Sequence, residues 1–401
     1  MSRRVVITGV GVVSALGANR HEFWEALVNC RPGIGPIESV PGGSVRFANG
    51  AEVKGRVDDQ FDDKDGNLLD RFAMLGVVAA REAVRDAGIE FTDELRERTA
   101  IATGSAMGGQ ASEEVGYREL YLNKATRFHP FAIPRSMANA AASRMSIEFG
   151  ITGPVFTLAT ACSSSNHAIG QAMWMVRNGS ADLAIVGGSE APFTLGSLKA
   201  WEAMRVVSPD TCRPFSKDRK GLILGEGAAM LVLELMDSAV ARGATIYAEL
   251  AGFGMSADAH HITQPSSKGA ARAMAAALRD AELDVSGVGY VNAHGTGTIT
   301  NDPVESEALA SVFGEAMPPI SSTKSLHGHA LGAAGALEAA ATVLALRYGI
   351  LPPTANFTEA DPACPVDCIA NEARAIQVEA ALSNSFAFGG LNAVLAFRRV
   401  P

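Results

Sequence analysis

Pro154-Val-Phe-Thr-Leu-Ala-Thr-Ala-Cys162-Ser-Ser-Ser-Asn-His-Ala-Ile-Gly170 is the stretch on which the reading of this chain turns. The residues before Cys162 are short, β-prone and apolar. Those after it place Ala168, Ile169, Ala172, Met173 and Val176 on one face of a helix. Cys162 therefore belongs to a strand-to-helix turn, where unpaired N–H groups carry partial positive charge and favour thiolate over thiol. Standing alone, such a cysteine is more often a buried structural thiol than a nucleophile. Segments further along the chain turn the reading the other way.

Composition sets the frame. The chain has 401 residues, enough for one large domain or two fused ones, with 47% hydrophobic residues and few aromatics. Abundant Gly and Ala suit an α/β core in which helices approach sheets closely. A formal charge of −9 argues against bulk nucleic-acid binding. No apolar run is long enough for a membrane-spanning helix. At the N-terminus, Ser2-Arg-Arg4 before an apolar run resembles a signal peptide, with Ala15-Leu-Gly-Ala18 as its cleavage site. The β-branched run from Arg4 to Val10, broken by Gly9 and Gly11, fits a first core strand better. The five cysteines (30, 162, 212, 364 and 368) lack the density of a disulfide scaffold, which points to a reducing cytoplasm. Cys364 and Cys368 have no second cysteine pair and read as loop residues, so no metal is expected.

Strand and helix signals alternate throughout: strands at Val5–Gly9, Thr99–Thr103, Asp182–Gly188 and Ala228–Leu235, and a helix at Leu69–Ala87. Met236–Arg242 reads as a short helix. From near Ile246 the same grammar repeats, with a strand at Val288–Asn292, helices at Pro303–Phe313 and Leu331–Tyr348, and a closing strand at Val394–Phe397. This predicts α/β layers with helices packed on sheets, in halves 1–245 and 246–401 that share one core.

Three segments of the second half carry chemistry. In Val291-Asn-Ala-His294-Gly-Thr-Gly-Thr298, the histidine sits on a glycine-rich loop at a strand's C-terminal end, where open α/β sheets place ligands. Asp302 reads as the N-cap of the next helix, Pro303 as its first residue, and Glu305 as the closing member of a capping box. In Ser321-Ser-Thr-Lys324-Ser-Leu-His327-Gly-His329, a lysine and two histidines precede a small-residue helix whose apolar character implies burial. An isolated buried lysine is costly unless paired, and Glu338 on that helix is the candidate partner. Ser383-Asn-Ser-Phe386-Ala-Phe388-Gly-Gly390 reads as a mobile loop covering a site.

Together and in this order these segments resemble the β-ketoacyl-[acyl-carrier-protein] synthases, above all the elongating type called synthase I/II. The resemblance runs from Val5 to Phe397. It implies a thiolase-like α/β fold of two similar βα halves in α-β-α-β-α layers, normally as a homodimer. It matches Cys162 to the nucleophile, His294 and His329 to the active-site histidines, and Lys324 to the family's lysine. It matches Glu338 to a buried acid behind the site and Phe388 to the gate, whose N–H joins that of Cys162 in an oxyanion hole. Thr296 and Thr298 match contacts to the carrier's phosphopantetheine arm. Trp201, Met107 and Phe386 fall on the acyl pocket, Met107 at its bottom. The implied reaction is decarboxylative Claisen condensation of an acyl thioester with malonyl-carrier, with no metal or organic cofactor.

Some positions depart from the family pattern. His327 stands where a small residue is usual and reads as an exposed loop residue or an extra donor near the site. Ala387 replaces a glycine between the two phenylalanines, which narrows the backbone angles of the gate. Leu391 replaces a threonine. Carrier proteins are acidic and call for a basic patch, yet Asp58-Asp-Gln-Phe-Asp-Asp-Lys-Asp65 is mainly acidic. Arg71, Lys124, Arg127 and Arg205 remain as docking candidates. Among rival readings, a degradative thiolase would need a second catalytic cysteine near the C-terminus, and the initiating synthases an asparagine where His329 stands. A non-catalytic chain-length factor would lack Cys162. A heterodimer subunit or specialised synthase of a polyketide, polyene or nodulation-type acyl chain keeps the same chemistry.

Overall fold

The computed structural model describes residues 3–55 and 57–400, with Asp63 described by its backbone alone; Ser2 lies outside the described residues. The N-terminal run forms a wholly buried strand, β1 (Val5–Ser14). Four further strands of the large sheet follow before residue 245: β2 (Thr99–Gly104), β3 (Val155–Leu158), β4 (Leu183–Glu190) and β5 (Gly227–Leu235). Five of its strands lie after it, β6 (Ala248–Ala257), β7 (Tyr290–Asn292), β8 (Ile320–Ser321), β9 (Ala380–Ala387) and β10 (Leu391–Arg398), and two-residue strand pairs lie outside this sheet.

The two sets pair identically. The first runs β1-β5-β4-β2-β3 and the second β6-β10-β9-β7-β8, joined edge to edge in one ten-stranded sheet among the described residues. In each set the first two pairings are antiparallel and the last two parallel. The seam between them is short, with Val6 opposite Glu249 and Ile7 opposite Ala248. The chain thus builds the same βα arrangement twice.

Helices α1 (Arg71–Ala87) and α4 (Ser267–Asp280) cover the outer faces of the two sets, while α2 (Ser164–Asn178) and α6 (Ala334–Tyr348) pack against each other between them. Two further helices matter below, α3 (Leu195–Met204) and α5 (Asn301–Phe313). This is the expected α-β-α-β-α stack. Glycines set the outer spacing in both halves. A Cβ on Gly11 would lie 2.0 Å from Ala79 O of α1, and one on Gly254 would lie 2.2 Å from Ala273 O of α4. Backbone meets backbone there, so no other residue fits.

The central helices repeat as well. Each starts with a 3₁₀ turn, Ala161–Ser163 before α2 and Leu331–Ala333 before α6, and each ends on a left-handed glycine, Gly179 and Gly349. Ala161 and Leu331 open those turns with φ of +50° and +47°. This is a strained region for residues with a side chain. Cys162 and Gly332 therefore occupy matching places in the two halves.

Two local expectations are corrected. Helix α5 begins at Asn301, so Asp302 is not its N-cap. Its carboxylate instead accepts from Gly297 N–H and Phe215 N–H, while Glu305 accepts from His294 N–H and Gly295 N–H. Both acids hold the preceding loop rather than the helix end. Ser383–Phe386 is not a mobile loop either: it belongs to β9, and the turn is only Phe388-Gly389-Gly390. Gly389 and Gly390 supply its φ values of +85° and +69°. Ala387 ends the strand in register with Leu391, where a methyl group brings no backbone strain.

Candidate active site

The turn before α2 brings Cys162 to the floor of a cavity of about 500 Å³, within the usual range for ligand sites. His294, His329, Thr296, Thr298, Trp201, Phe386 and Phe388 share its walls. One half supplies the sulfur and the other the histidines. Burial pushes the Cys162 thiol up to about 11, against the pull of the Lys324 charge and of the Phe388 backbone N–H on the sulfur. The helix start favours thiolate, and burial works against it. The thiol is buried, and desolvation outweighs the favourable dipoles. Below that pKa, labelling of Cys162 by iodoacetamide is expected to rise about tenfold per pH unit. Peptide mapping after timed labelling at pH 7 to 10 checks this; a flat profile contradicts it.

His329 is oriented from behind. Leu331 N–H donates to its Nδ1 at 3.2 Å. A backbone N–H can only donate, so this network assigns the ring proton to Nε2. Nε2 lies 3.2 Å from Cys162 Sγ. The His294 ring meets the His329 ring edge-on at 5.5 Å, and its Nδ1 is buried without a partner. Burial holds both imidazoles well below the usual histidine range, helped by the nearby Lys324 charge. Both are neutral at pH 7 and can donate through a ring N–H without carrying charge.

Lys324 and Glu338 are bonded to each other and fully buried. Burial raises the Glu338 carboxyl to about 7 even beside the ammonium. Thr296 and Thr298 hydroxyls bond each other at 2.9 Å on the cavity wall. Their loop is pinned by Arg219, whose Nε donates to Thr298 O at 3.1 Å. Trp201, on α3, stacks on Phe388 with centroids 6.3 Å apart and planes 25° apart.

Three sequence-level placements fail. Met107 is 53% exposed and does not line the cavity, because its loop turns outward after β2. Arg71 is bound to Glu226 and to Val53 O, so its guanidinium is occupied inside the fold. His327 is buried rather than exposed, and away from the cavity. Its Nδ1–H donates to Gly328 O at 2.8 Å, and Nε2 accepts from the Thr323 hydroxyl at 3.0 Å. Burial lowers it to about 3, which makes it a satisfied core histidine. Lys124, Arg127 and Arg205 are exposed.

The cavity is also lined by His261, Ile262 and Gln264, which the sequence reading passed over. Their only sequence signal is a polar turn after β6, and Gly389 N–H bonds back to Ile262 O at 2.7 Å.

Fold and constellation define a thiolase-like condensing enzyme of the acyltransferase type. Residues 2–239 match the family model "Beta-ketoacyl synthase, N-terminal domain" and residues 247–358 the model "Beta-ketoacyl synthase, C-terminal domain". The chain belongs to the beta-ketoacyl synthase family. It is 49% identical to nodulation protein E of Rhizobium sp. (strain N33), with all of both chains covered. It is 39% identical to 3-oxoacyl-[acyl-carrier-protein] synthase 2 of Staphylococcus aureus (strain N315), over 99% of each chain. Among solved structures, "The ishigamide ketosynthase/chain length factor" aligns over the whole of both chains with a TM-score of 0.95 and 36% identity.

Proposed function

We propose that the protein is a 3-oxoacyl-[acyl-carrier-protein] synthase that elongates an acyl chain held on Cys162. The observation that carries this is the 3.2 Å contact of His329 Nε2 with Cys162 Sγ, in a cavity that also holds His294 and the Phe388 N–H.

In the first half-reaction Cys162 sulfur attacks the acyl thioester. The carbon–sulfur bond to the carrier breaks, and the Cys162 proton ends on the carrier thiol. The N–H groups of Phe388 and Cys162 serve as the oxyanion hole, each such donor contributing about 2.7–4 kcal/mol. In the second, the bond between the malonyl carboxylate and its α-carbon breaks and carbon dioxide leaves. Its electron pair forms a thioester enolate, whose oxygen accepts from the neutral His294 and His329 rings. The enolate carbon attacks the acyl carbonyl, the bond to Cys162 breaks, and the thiolate takes up one proton. Lys324 acts by its charge on this network. No metal or organic cofactor enters the scheme.

Thr296 and Thr298 line the route of the phosphopantetheine arm, and Lys124, Arg127 and Arg205 are the carrier-docking residues. A ridge of exposed apolar side chains, among them Tyr121 (72%), Leu122 (70%) and Ile133 (71%), supports a second subunit of the same fold, identical or homologous. Met107 lies beside that ridge in sequence and is exposed like it. The free thiols support a cytoplasmic site; no helix of the described residues is long and apolar enough to cross a membrane.

A second reading, a specialised acyl-chain pathway, has its own support. Identity to nodulation protein E exceeds that to synthase 2, and Trp201 lies across the gate. Such a stack is worth about 0.5–1.5 kcal/mol. The test is incubation with malonyl-carrier and acyl-carriers of two to eighteen carbons, with 3-oxoacyl products quantified by mass spectrometry. Broad condensation with a long-chain optimum supports housekeeping elongation, and a narrow or unusual profile the specialised pathway. No product from folded protein overturns both. Trp201→Ala is expected to broaden the profile towards bulkier chains, and an unchanged profile removes Trp201 from selectivity.

A further inference from the structure

Glu190 ends strand β4 inside the molecule, 1% exposed, and its carboxyl oxygens accept from N–H and O–H donors. Its Oε2 accepts from Ala106 N–H at 2.6 Å and Gly332 N–H at 3.0 Å. Its Oε1 accepts from Ser105 Oγ at 3.2 Å and Met107 N–H at 3.3 Å. A carboxylate in such company is an anchor for backbone. Gly332 is held on its other side too, since Ser165 Oγ donates to Gly332 O in the following peptide group. Ser165 lies on α2, one turn beyond Cys162. No side chain is tolerated at Gly332: a Cβ would stand 2.3 Å from Ala106 N and 2.6 Å from Glu190 Oε2. The next residue back, Leu331, has φ +47° and gives its N–H to His329 Nδ1.

We infer that Glu190 is a positioning residue for His329. With Ser165 it fixes both peptide groups of Gly332, and through the adjoining Leu331 N–H it holds the imidazole with its Nε2 proton on Cys162 Sγ. In the first half of the fold the matching place carries the nucleophile; in the second it carries a glycine clamped by the first half. The two halves of the active site are thereby registered at one residue, Gly332. The inference rests on the condensing chemistry proposed above.

The test compares Glu190→Gln, Ser165→Ala and the double variant with wild type. An amide keeps one acceptor oxygen but turns an NH₂ towards N–H donors. Glu190→Gln is expected to lower the condensation kcat by about 10²-fold, with KM for malonyl-carrier moved by less than about threefold. Its melting temperature should fall modestly while the protein stays folded at the assay temperature, and its rate of Cys162 labelling should stay near wild type. Ser165→Ala should lower kcat in the same direction, and the double variant should lose less than the product of the singles, because both hold the same residue, Gly332. Wild-type turnover in Glu190→Gln, or a loss that only follows the folded fraction, overturns the inference, as does a fully multiplicative double variant. If Glu190→Gln does not fold, an unchanged kcat in Ser165→Ala overturns it. An inactive wild type overturns instead the function on which the inference rests.

Discussion

Cys162→Ala is expected to abolish acyl transfer to the protein and to lower condensation by about 10⁴-fold or more, while malonyl-carrier decarboxylation persists. The reason is geometric. Cys162 is the thiol of this cavity, and removing its sulfur leaves nothing to hold the acyl group. The neutral rings of His294 and His329 remain, and they are the donors an enolate oxygen needs. The change takes the acceptor from His329 Nε2–H and Phe388 N–H, but both face the cavity, where solvent can replace the sulfur, so the fold should be retained. Intact-mass spectrometry after incubation with acyl-carrier reads the first loss, and radiolabelled carbon dioxide release reads the retained step. Condensation at the wild-type rate, or an acyl adduct on another residue, contradicts the assignment of the nucleophile.

Much of this site was legible because each reactive residue sits in a local pattern with a physical cause. The apolar run before Cys162 and the helical face after it place the turn, and the structure puts the sulfur at the start of α2. The Lys324–Glu338 pairing followed from the cost of burying an unpaired ammonium. What failed depended on how segments meet. Asp302 and Glu305 have the spacing of helix caps, yet the loop folds back over the helix start and takes both carboxylates. His327 looks solvated in a run of polar and small residues, but the short helix Lys324–His327 turns it inward. Arg71 shows the same limit, because its partner Glu226 is 155 residues away in the chain. The state of the Cys162 thiol meets a related limit. A helix start is visible in sequence, whereas the depth of burial that outweighs it is a property of both halves together.

The Lys324–Glu338 pair is expected to behave asymmetrically. Glu338→Gln leaves an ammonium buried without its counter-charge, and breaking a buried pair this way costs about 3–5 kcal/mol. Lys324→Met leaves a carboxyl that already sits at about 7 beside the lysine, and loss of that charge moves it higher still. At neutral pH this carboxyl reduces the penalty by keeping its proton, so Lys324→Met should be the milder of the two for stability. The sign with pH follows. A carboxyl raised above its unfolded value stabilises the fold at low pH and loses that contribution as pH rises through the folded pKa. Lys324→Met should therefore melt lower at pH 9 than at pH 6, and the double change Lys324→Met with Glu338→Leu should remove that dependence. Thermal unfolding at the two pH values checks both statements, and equal melting of the two single variants contradicts them. Activity should fall in every one of these variants. The Lys324 charge is the main force drawing the Cys162 thiol down, and it helps to keep both histidines neutral. A well-packed apolar replacement can match the stability of a buried ion pair, but it cannot supply that field. Retention of the pair beneath the cavity is accounted for by the electrostatics of the reaction and not by the strength of the fold.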